Sequence, residues 1–520
     1  MTRAPYDVAV LGGGLAGNLA ARQLKRRLPN ARILLCERSS SRSWKVGESS
    51  VEIACNYFTR KLGLSRYLYE QHLPKNGLRF FFDNEARDGD LERLSEIGTT
   101  ALPVIPTFQI DRARMESDLL AMNAEAGIDV MFGKVTELAL GVGSEPHRFD
   151  VVPNASDVRE AVRARWIVDA SGRAGLIAKP KKLWIEESHR TAAVWGRFRG
   201  LPSFDEIGSP EFRARVRYTS RHLSTTHFCY PGMWIWFIPL GEGVVSVGAV
   251  MDRAHWKDAY RKSEGFLELL RAHAAVKRLL EGGELLDVMS FGQLAYGGTR
   301  WFSAEERWAL TGEAAAFTDP LYSPGSDFIA LGNDFLTDLV ARDLGGESAE
   351  AIARRSQLYD SFMKFRFEST MRVYRDLYSL LGSFDLWSLK WDFDLGSYYD
   401  LWVEPFMLDL HLETDWLETQ LRQSKLVVGL LARYSALFKR VESHLVEAGQ
   451  LRRNNLGHFQ GEFPTIAGAA ELGTPASHAK SIDRMTELLN TTRRRAHVLL
   501  GRDPPGDLTM PQLLGGRPLL

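Results

Sequence analysis

The chain has 520 residues, in which 65 Lys and Arg residues are balanced by 65 Asp and Glu residues. This length exceeds what one compact core accommodates and predicts two or three domains. The absence of net charge argues against nucleic acid or an anionic membrane as a partner. Three dispersed cysteines indicate a reducing compartment without a disulfide framework. No leader pattern and no run of about 20 apolar residues is visible, so we expect a cytoplasmic protein without a signal peptide or transmembrane helix.

A glycine-rich turn near the N-terminus lies between two apolar runs, 7–11 and 31–37, that predict buried strands. Leucines at helical spacing follow the turn, which gives the strand–turn–helix–strand order that a GxGxxG fingerprint requires. The fingerprint glycines are Gly12, Gly14 and Gly17. They provide a tight turn, close approach to a pyrophosphate and helix–strand packing. Glu37 stands about 20 residues further on, where an acid accepts the ribose hydroxyls, so the segment predicts a dinucleotide site.

Two later segments favour FAD over NAD as the dinucleotide. Residues 166–172 (WIVDASG) read as a strand that ends in a turn of small residues. Residues 310–320 (LTGEAAAFTDP) are typical of a second flavin motif, in which Glu313 would reach the ribityl chain. The helix that follows would point its N-terminus at the flavin. The order and separation of the segments therefore predict an FAD domain.

Alternating apolar residues between the FAD segments predict a second, mixed or antiparallel sheet layered on the FAD domain. The alternation covers 78–83, 191–200 and 233–251, and the last run turns at Pro239 to Gly243 as a hairpin. Trp234 and Trp236, two residues apart, would point to the same face of their strand. Asp111 is placed to cap the helix that begins at the next residue.

The character of the chain becomes helical after residue 345. Long helical patterns cover 351–382 and 417–448, an aromatic-rich stretch lies between them, and the Pro- and Gly-rich end is expected to be irregular. We therefore predict an α/β (α+β) protein with a catalytic module over 1–345. Its substrate sheet would come mainly from 60–105 and 190–290. A helical region over 346–520 could cover the substrate.

The stretch Trp234-Ile235-Trp236-Phe237-Ile238-Pro239, together with the glycine-rich motif, resembles the flavin-dependent halogenases. The hallmark of that family is Trp-x-Trp-x-Ile-Pro. Members also carry an essential lysine just before an apolar strand, and Lys75 matches it, between Pro74 and Gly77 and ahead of an apolar run. Burial there would lower the pKa of the amine. The resemblance thus implies a Rossmann-like FAD domain with Lys75, Trp234 and Trp236 as catalytic residues.

The resemblance also assigns the cofactor residues. Gly47-Glu48-Ser49 is similar to the family turn beside the flavin, which is thought to couple the flavin and halide sites. The complete implied FAD set is Gly12, Gly14, Ala16, Gly17, Glu37, Gly47, Glu48, Ser49, Arg112, Asp169, Glu313, Asp319 and Pro320. No metal ligand is implied.

The implied halide site is the turn Ser323-Pro324-Gly325, where family members use backbone N–H groups. Pro324 has no N–H, so one donor of the expected pair is missing unless the hydroxyl of Ser323 or Ser326 compensates. Tryptophan halogenases carry Glu at the position of Tyr322. The tyrosine favours the phenol- or pyrrole-type branch of the family.

The mechanism implied by the resemblance begins with FADH2 from a separate NAD(P)H-dependent flavin reductase. Together with O2 it converts chloride or bromide to hypohalous acid, which Lys75 presents to an electron-rich aromatic, free or tethered to a carrier protein. Lys75 would either form a haloamine or hold the acid by hydrogen bonding. The base that removes the ring proton stays open among Glu48, Asp83 and the histidines. Two alternatives are a flavin monooxygenase of the same fold and a non-catalytic flavoprotein partner in a biosynthetic assembly.

Overall fold

The computed structural model describes residues 4–41, 43–154, 158–463, 465 and 468–520. The strands in chain order are β1 (Tyr6–Leu11), β2 (Ile33–Glu37), β3 (Leu73–Lys75), β4 (Leu78–Phe82), β5 (Ser95–Gly98), β6 (Thr107–Gln109), β7 (Asp129–Phe132), β8 (Lys134–Ala139), β9 (His147–Val152), β10 (Glu160–Asp169), β11 (Trp184–Glu186), β12 (Thr191–Arg199), β13 (Thr225–Tyr230), β14 (Met233–Gly241), β15 (Val244–Asp252), β16 (Glu284–Leu285), β17 (Met289–Phe291), β18 (Tyr296–Gly298), β19 (Phe302–Ser303), β20 (Trp308–Leu310) and β21 (Phe459–Gln460).

The α-helices in the described residues are α1 (Leu15–Arg27), α2 (Glu52–Asn56), α3 (Ser65–Gln71), α4 (Arg112–Glu125), α5 (Pro210–Ala214), α6 (Ser263–Arg271), α7 (Ala274–Leu279), α8 (Gly325–Leu344), α9 (Ala349–Met371), α10 (Phe384–Tyr398), α11 (Glu404–Met407), α12 (Thr414–Glu447), α13 (Pro475–His478), α14 (Ser481–Leu499) and α15 (Met510–Leu514). Two π-helical turns cover Tyr57–Lys61 and Tyr399–Val403. The 3₁₀ turns are Gly172–Ala174, Arg253–His255, Asp258–Arg261, Gly312–Ala314, Tyr378–Gly382, Leu410–Leu412 and Ala469–Glu471.

The first sheet is the dinucleotide-binding layer that the glycine motif predicts. Its strand order is β19-β20-β10-β1-β2-β7, and the pairs from β20 to β7 are parallel. The strands β8 and β9 extend it as an antiparallel branch from β10. The helix α1 follows β1 directly and packs against α4 and α8. The Rossmann-like prediction is confirmed, and β1, α1 and β2 lie where the apolar runs indicated.

The second sheet has nine strands within the described residues, in the order β16-β12-β15-β14-β13-β4-β5-β21, with β17 also on β12. Most pairs are antiparallel, but β13 lies parallel to β4 and β21 parallel to β5, so the predicted mixed sheet is confirmed. Trp234 and Trp236 face one side of β14, whereas Ile235 and Phe237 face a core on the other side. Gly248 pairs with Trp236 across the β14–β15 hairpin, and a Cβ there would lie 2.3 Å from the indole. The glycine therefore makes the room that the second indole needs.

The helical C-terminal region packs onto the side of the second sheet that carries the tryptophans. One apolar core runs from β1 through α9, α10, α12 and α14. Helix α12 confirms the pattern over 417–448, but the pattern over 351–382 overestimates its helix, because α9 ends at Met371. The chain then turns through Asp376, which has a left-handed φ of 62°. The expected irregular C-terminus is confirmed for most of 501–520, and the short helix α15 is the exception. No helix in the described ranges has the length and apolarity that crossing a bilayer requires.

A buried charge cluster fixes β4 and β5, the strand pair that follows Lys75. The carboxylate of Glu96 accepts hydrogen bonds from Arg79 and, in a bidentate pair at 2.8 and 2.9 Å, from Arg221. Burial alone would raise the pKa of Glu96, but the two guanidinium groups hold it below its usual value. All three side chains are almost completely buried.

We predict that Glu96→Gln destabilises the protein by about 3–5 kcal/mol, because it leaves buried guanidinium charge uncompensated. Urea unfolding measures the change. The matched control is Glu418→Gln, which removes an exposed partner of Arg422 and should cost less than about 1 kcal/mol. Equal effects of the two substitutions would show that the buried cluster adds nothing specific.

Candidate active site

The glycine turn between β1 and α1 leaves open space at the start of the helix. A Cβ on Gly12 would lie 2.4 Å from the carbonyl oxygen of Ala170, and one on Gly17 would lie 1.8 Å from the carbonyl oxygen of Gly12. These two glycines allow close packing. A Cβ on Gly14 would meet no atom within 4 Å, so this position faces free space at the N-terminus of α1. A phosphate can bind there to helix N–H groups.

Two predicted acids make hydrogen bonds to the protein at the edge of this turn. Glu37 accepts from the N–H of Gly13 at 2.7 Å. Asp169 is fully buried and accepts from the N–H groups of Ser171 at 3.0 Å and Ile177 at 2.7 Å. Asp169 therefore shapes the turn after β10.

A first cavity of ≈ 160 Å³ lies between the two sheets and the N-terminus of α8. The predicted residues that line it are Gly47, Glu48, Ser49, Arg112, Trp234, Trp236, Glu313, Asp319, Pro320, Ser323 and Gly325. The predicted FAD residues outside its lining are Gly12, Gly14, Ala16, Gly17, Glu37 and Asp169, and the predicted Lys75 and Pro324 also lie outside it. Leu15 joins the glycine turn to the cavity, so the nucleotide-type turn and the cavity form one continuous site.

The polar side chains of the first cavity are held in place by hydrogen bonds, but one of their oxygen atoms has no hydrogen-bond donor among the described residues. Glu48 accepts from Arg197 at 2.6 Å, and its second carboxylate oxygen is buried without a hydrogen-bond partner among the residues that the structure describes. Burial raises the pKa of Glu48, although Arg197 opposes the shift. Glu313 accepts from Arg173 at 2.9 Å. Arg112 donates to the carbonyl of Val46 and thereby holds the segment that leads into Glu48.

Sequence reasoning missed Glu116 on α4. It accepts from the N–H of Leu15 at 3.1 Å and forms ion pairs with Arg112 and Lys45. It therefore connects the first turn of α1 to the segment beside the cavity. Glu116 is 101 residues from Leu15 in the sequence, so no local pattern indicates that the two are in contact.

The site fits FAD. The open space at Gly14 faces a helix N-terminus, which suits a pyrophosphate. The first cavity continues from Leu15 and offers the unsatisfied oxygen of Glu48 together with Arg173 and Glu313 as polar groups for a ring and its ribityl chain.

A second cavity of ≈ 140 Å³ lies on the other side of the chain segment before α8. Lys75 and Glu52 line it on one side, and residues from α9 and α10 to Trp402 line it on the other. Lys75 is the last residue of β3, which pairs with β6, and it precedes the apolar strand β4 as the family pattern requires. Its amine donates to the carbonyl oxygen of Ser50 at 2.8 Å. Burial lowers the pKa of Lys75 to about 8, although Glu52 opposes the shift.

The partition between the cavities is the turn from Thr318 to Ser326. Asp319, Pro320, Ser323 and Gly325 line the first cavity, whereas Tyr322 and Pro324 line the second. Tyr322 and Ser323 have left-handed φ values of 68° and 59°. Two consecutive non-glycine residues in this region store strain, and strain of this kind is concentrated at functional sites.

Both tryptophans line the first cavity and neither lines the second. Their ring centroids are 5.6 Å apart. The indole N–H of Trp234 donates to the hydroxyl of Tyr378 at 2.9 Å, and that hydroxyl donates to Asp319 at 2.7 Å. Trp234 is thus linked to the partition, whereas the indole N–H of Trp236 donates to the hydroxyl of Ser246 on β15 at 3.2 Å.

The second cavity contains polar groups that the sequence did not reveal. Tyr322 donates to Asp394 at 2.9 Å, and Lys390 also bonds to Asp394, four residues further along α10. Tyr399 donates to Glu52 at 3.0 Å. The spacing of four residues between Lys390 and Asp394 is typical of an ion pair on a helix. No pattern in the sequence indicates that this pair lies beside Tyr322.

Comparisons with known proteins agree with this geometry. Residues 5–227 match the family described as FAD binding domain. The flavin-dependent halogenase chlA of Dictyostelium discoideum is 28% identical over 440 residues, 78% of this chain and 72% of that protein. The sulochrin halogenase gedL of Aspergillus terreus is 25% identical over 391 residues, 69% of this chain and 67% of that protein. The crystal structure of halogenase PltM in complex with phloroglucinol and FAD shares the fold, with a TM-score of 0.69, 16% identity and 99% of both chains covered.

The burial of Lys75 predicts a stability cost that depends on pH. At about 1.4 kcal/mol per pKa unit, lowering the pKa from 10.5 to about 8 costs on the order of 3 kcal/mol while the amine is charged. The cost is complete below about pH 8 and disappears between pH 8 and 10.5, because the folded amine is then neutral while the unfolded one still binds a proton. We expect Lys75→Met to be more stable than wild type by about 1–3 kcal/mol at pH 7.

Urea unfolding at pH 7 and pH 10 measures this difference, which should shrink at the higher pH. Lys425→Met, at an exposed lysine of α12, is the control and should show no pH-dependent gain. A Lys75→Met protein that is less stable than wild type at both pH values would contradict the account.

Proposed function

We propose that this chain, which belongs to the flavin-dependent halogenases, halogenates an electron-rich phenolic or pyrrolic ring through hypohalous acid delivered to Lys75. The family and the FAD cofactor predicted from the sequence are confirmed by the relatives, and FAD-dependent halogenation of an aromatic compound follows from them. The ring class and the delivery to Lys75 are our proposal. The observation that carries it is the partition, which puts Lys75 in a cavity separate from the one that suits the flavin.

When bound and reduced, FAD supplies the electrons with which O2 gives the oxidant that converts halide to hypohalous acid. The residues that would hold it are the glycines of the α1 turn, Arg112 and Glu313. Trp234 and Trp236 fill the wall of the first cavity and exclude a bulky substrate from it. Exclusion of this kind protects a reactive species from side reactions.

The halide would bind at the N-terminus of α8. Gly325 and Ser326 are the first two residues of this helix, and both line the first cavity. The N–H groups of a first helical turn have no intrahelical acceptor and attract anions. The missing N–H of Pro324 can therefore be replaced by that of Ser326, one residue later, with the hydroxyl of Ser323 nearby. This arrangement supports chloride or bromide as the second substrate.

Lys75 would receive the hypohalous acid in the second cavity. Since its pKa is about 8, the ammonium form predominates at neutral pH and can donate a hydrogen bond to the oxygen of the acid. Lys75 as a whole is 2% exposed, so little bulk water competes for this bond. Between the two alternatives left open by the sequence, this favours holding the acid over forming a haloamine.

The lining of the second cavity supports an aromatic substrate. Tyr374, Trp391, Tyr398 and Trp402 contribute rings to it, and Tyr322 stands where tryptophan halogenases carry Glu. Aromatic side chains pack favourably against a flat ring. The related PltM was solved with phloroglucinol, itself a phenol, and gedL is named for sulochrin. The helices after residue 345 would cover the substrate, free or carrier-tethered, and a separate flavin reductase would supply the reduced cofactor.

Mass spectrometry of reactions with a generic flavin reductase, FAD, NADH and chloride or bromide tests the proposal. Phenols, resorcinols, pyrroles, indoles and tryptophan would be offered, free and on acyl carriers. We expect the halogen isotope pattern on a phenol or pyrrole with wild type and a loss of at least about 10²-fold with Lys75→Ala.

Lys425→Ala is the matched control and should keep full activity. A product that gains oxygen without halogen would favour the monooxygenase alternative. Halogenation that survives Lys75→Ala unchanged would overturn the assigned role of Lys75.

A further inference from the structure

We propose that Glu52 is the catalytic base that takes the proton from the ring carbon being halogenated. This inference rests on the proposed function, because it needs hypohalous acid at Lys75. Glu52 begins α2, two residues after Ser50, whose carbonyl oxygen accepts from the Lys75 amine. The carboxylate and the amine therefore meet at the same end of the second cavity, where the halogen would be transferred.

The same two groups also interact electrostatically. Of the charged groups acting on the Lys75 amine, Glu52 has the largest effect, and Lys75 is the cation that acts on the Glu52 carboxylate. They are nevertheless not bonded to each other, since the amine donates to Ser50 and the carboxylate accepts from Tyr399 at 3.0 Å. A ring carbon placed between them would meet the halogen on one side and a proton acceptor on the other.

The other acids of the second cavity are already engaged. Asp327 is completely buried and accepts from the N–H of Ala54 at 3.1 Å and from Tyr398 at 2.9 Å, one bond for each oxygen. Asp394 is bonded to Lys390 and Tyr322. Glu52 is the most exposed of the three acids. A carboxylate offers about four acceptor sites, so Glu52, which is bonded to the Tyr399 hydroxyl and to its own backbone N–H, retains the lone pairs that a base needs.

The bases that the sequence left open do not reach this cavity. Glu48 lines the first cavity, where Arg197 binds it. Asp83 lines neither of the two cavities, and no histidine of the described chain lines the second. Sequence reasoning missed Glu52 because its role depends on contacts with β3 and with Tyr399, which is 347 residues away.

The step balances with the groups present. The ring carbon forms a bond to the halogen as the oxygen–halogen bond of hypohalous acid breaks. The departing hydroxide takes a proton from the Lys75 ammonium and leaves as water. The ring proton passes to Glu52 and returns from there to Lys75, so that Ar–H and HOX give Ar–X and H2O.

A kinetic isotope effect tests the role of Glu52. With a substrate deuterated at the halogenated carbon, we expect wild type to show an isotope effect near unity because a placed base removes the proton quickly. Glu52→Gln should lower the halogenation rate about 10²-fold and reveal a primary isotope effect. Hypohalous acid trapped in the absence of substrate should match wild type, which separates loss of the base from loss of the flavin site.

Two further variants test the same role if the Glu52→Gln protein does not fold properly. Glu52→Ala should regain at least tenfold in rate on addition of formate, and Glu52→Asp should retain part of the wild-type rate. Asp394→Asn is the control in the same cavity and should show no primary isotope effect. Glu52→Gln with the wild-type rate, or slowed without an isotope effect, would overturn the assignment. Absence of halogenated product with wild type would instead reject the proposed function.

Discussion

The carboxylate of Asp319 organises the turn on which both cavities depend. It accepts from the N–H of Leu321 at 2.9 Å and from the hydroxyl of Tyr378 at 2.7 Å, and the imidazole of His189 lies 2.9 Å away. The group is almost fully buried, so water cannot replace these bonds and each of them matters. These hydrogen bonds fix the turn in which Tyr322, the residue after Leu321, has a left-handed φ of 68°. A tyrosine in a flexible chain rarely adopts this conformation. One anchored turn thus separates the cavity that suits the flavin from the cavity that Lys75 lines.

Several features of this region oppose stability, and the surrounding packing offsets them. A desolvated lysine, consecutive left-handed residues and open space at Gly14 all cost free energy. In return, the second sheet is closely packed where Gly248 admits the indole of Trp236. Such trade-offs between stability and activity are common in enzymes. The strained residues lie where the proposed transfer of a halogen would need fixed geometry.

The sequence predicted features whose signal is local. The β1–α1–β2 unit, the Trp-x-Trp hairpin and the cap at Asp111 follow from neighbouring residues, and the structure confirms them. Contacts between distant segments could not be read in this way. After α9 ends at Met371, Tyr374 donates to the carbonyl oxygen of Leu321 in the partition. Glu52 lies in the same cavity as Lys75 and accepts from Tyr399, 347 residues further along the chain. Periodicity gives no information about such partners.

Oxygen-isotope labelling tests most directly whether the aromatic substrate receives a halogen in the second cavity or an oxygen atom in the first. A single turnover under ¹⁸O2 with bromide and a phenol would be followed by mass spectrometry of both product and water. Because the oxygen of hypohalous acid leaves at Lys75 as water, the account predicts a brominated product without ¹⁸O and labelled water. A product that carries ¹⁸O on its ring and no bromine would show that the substrate reaches the flavin cavity, and would contradict the account.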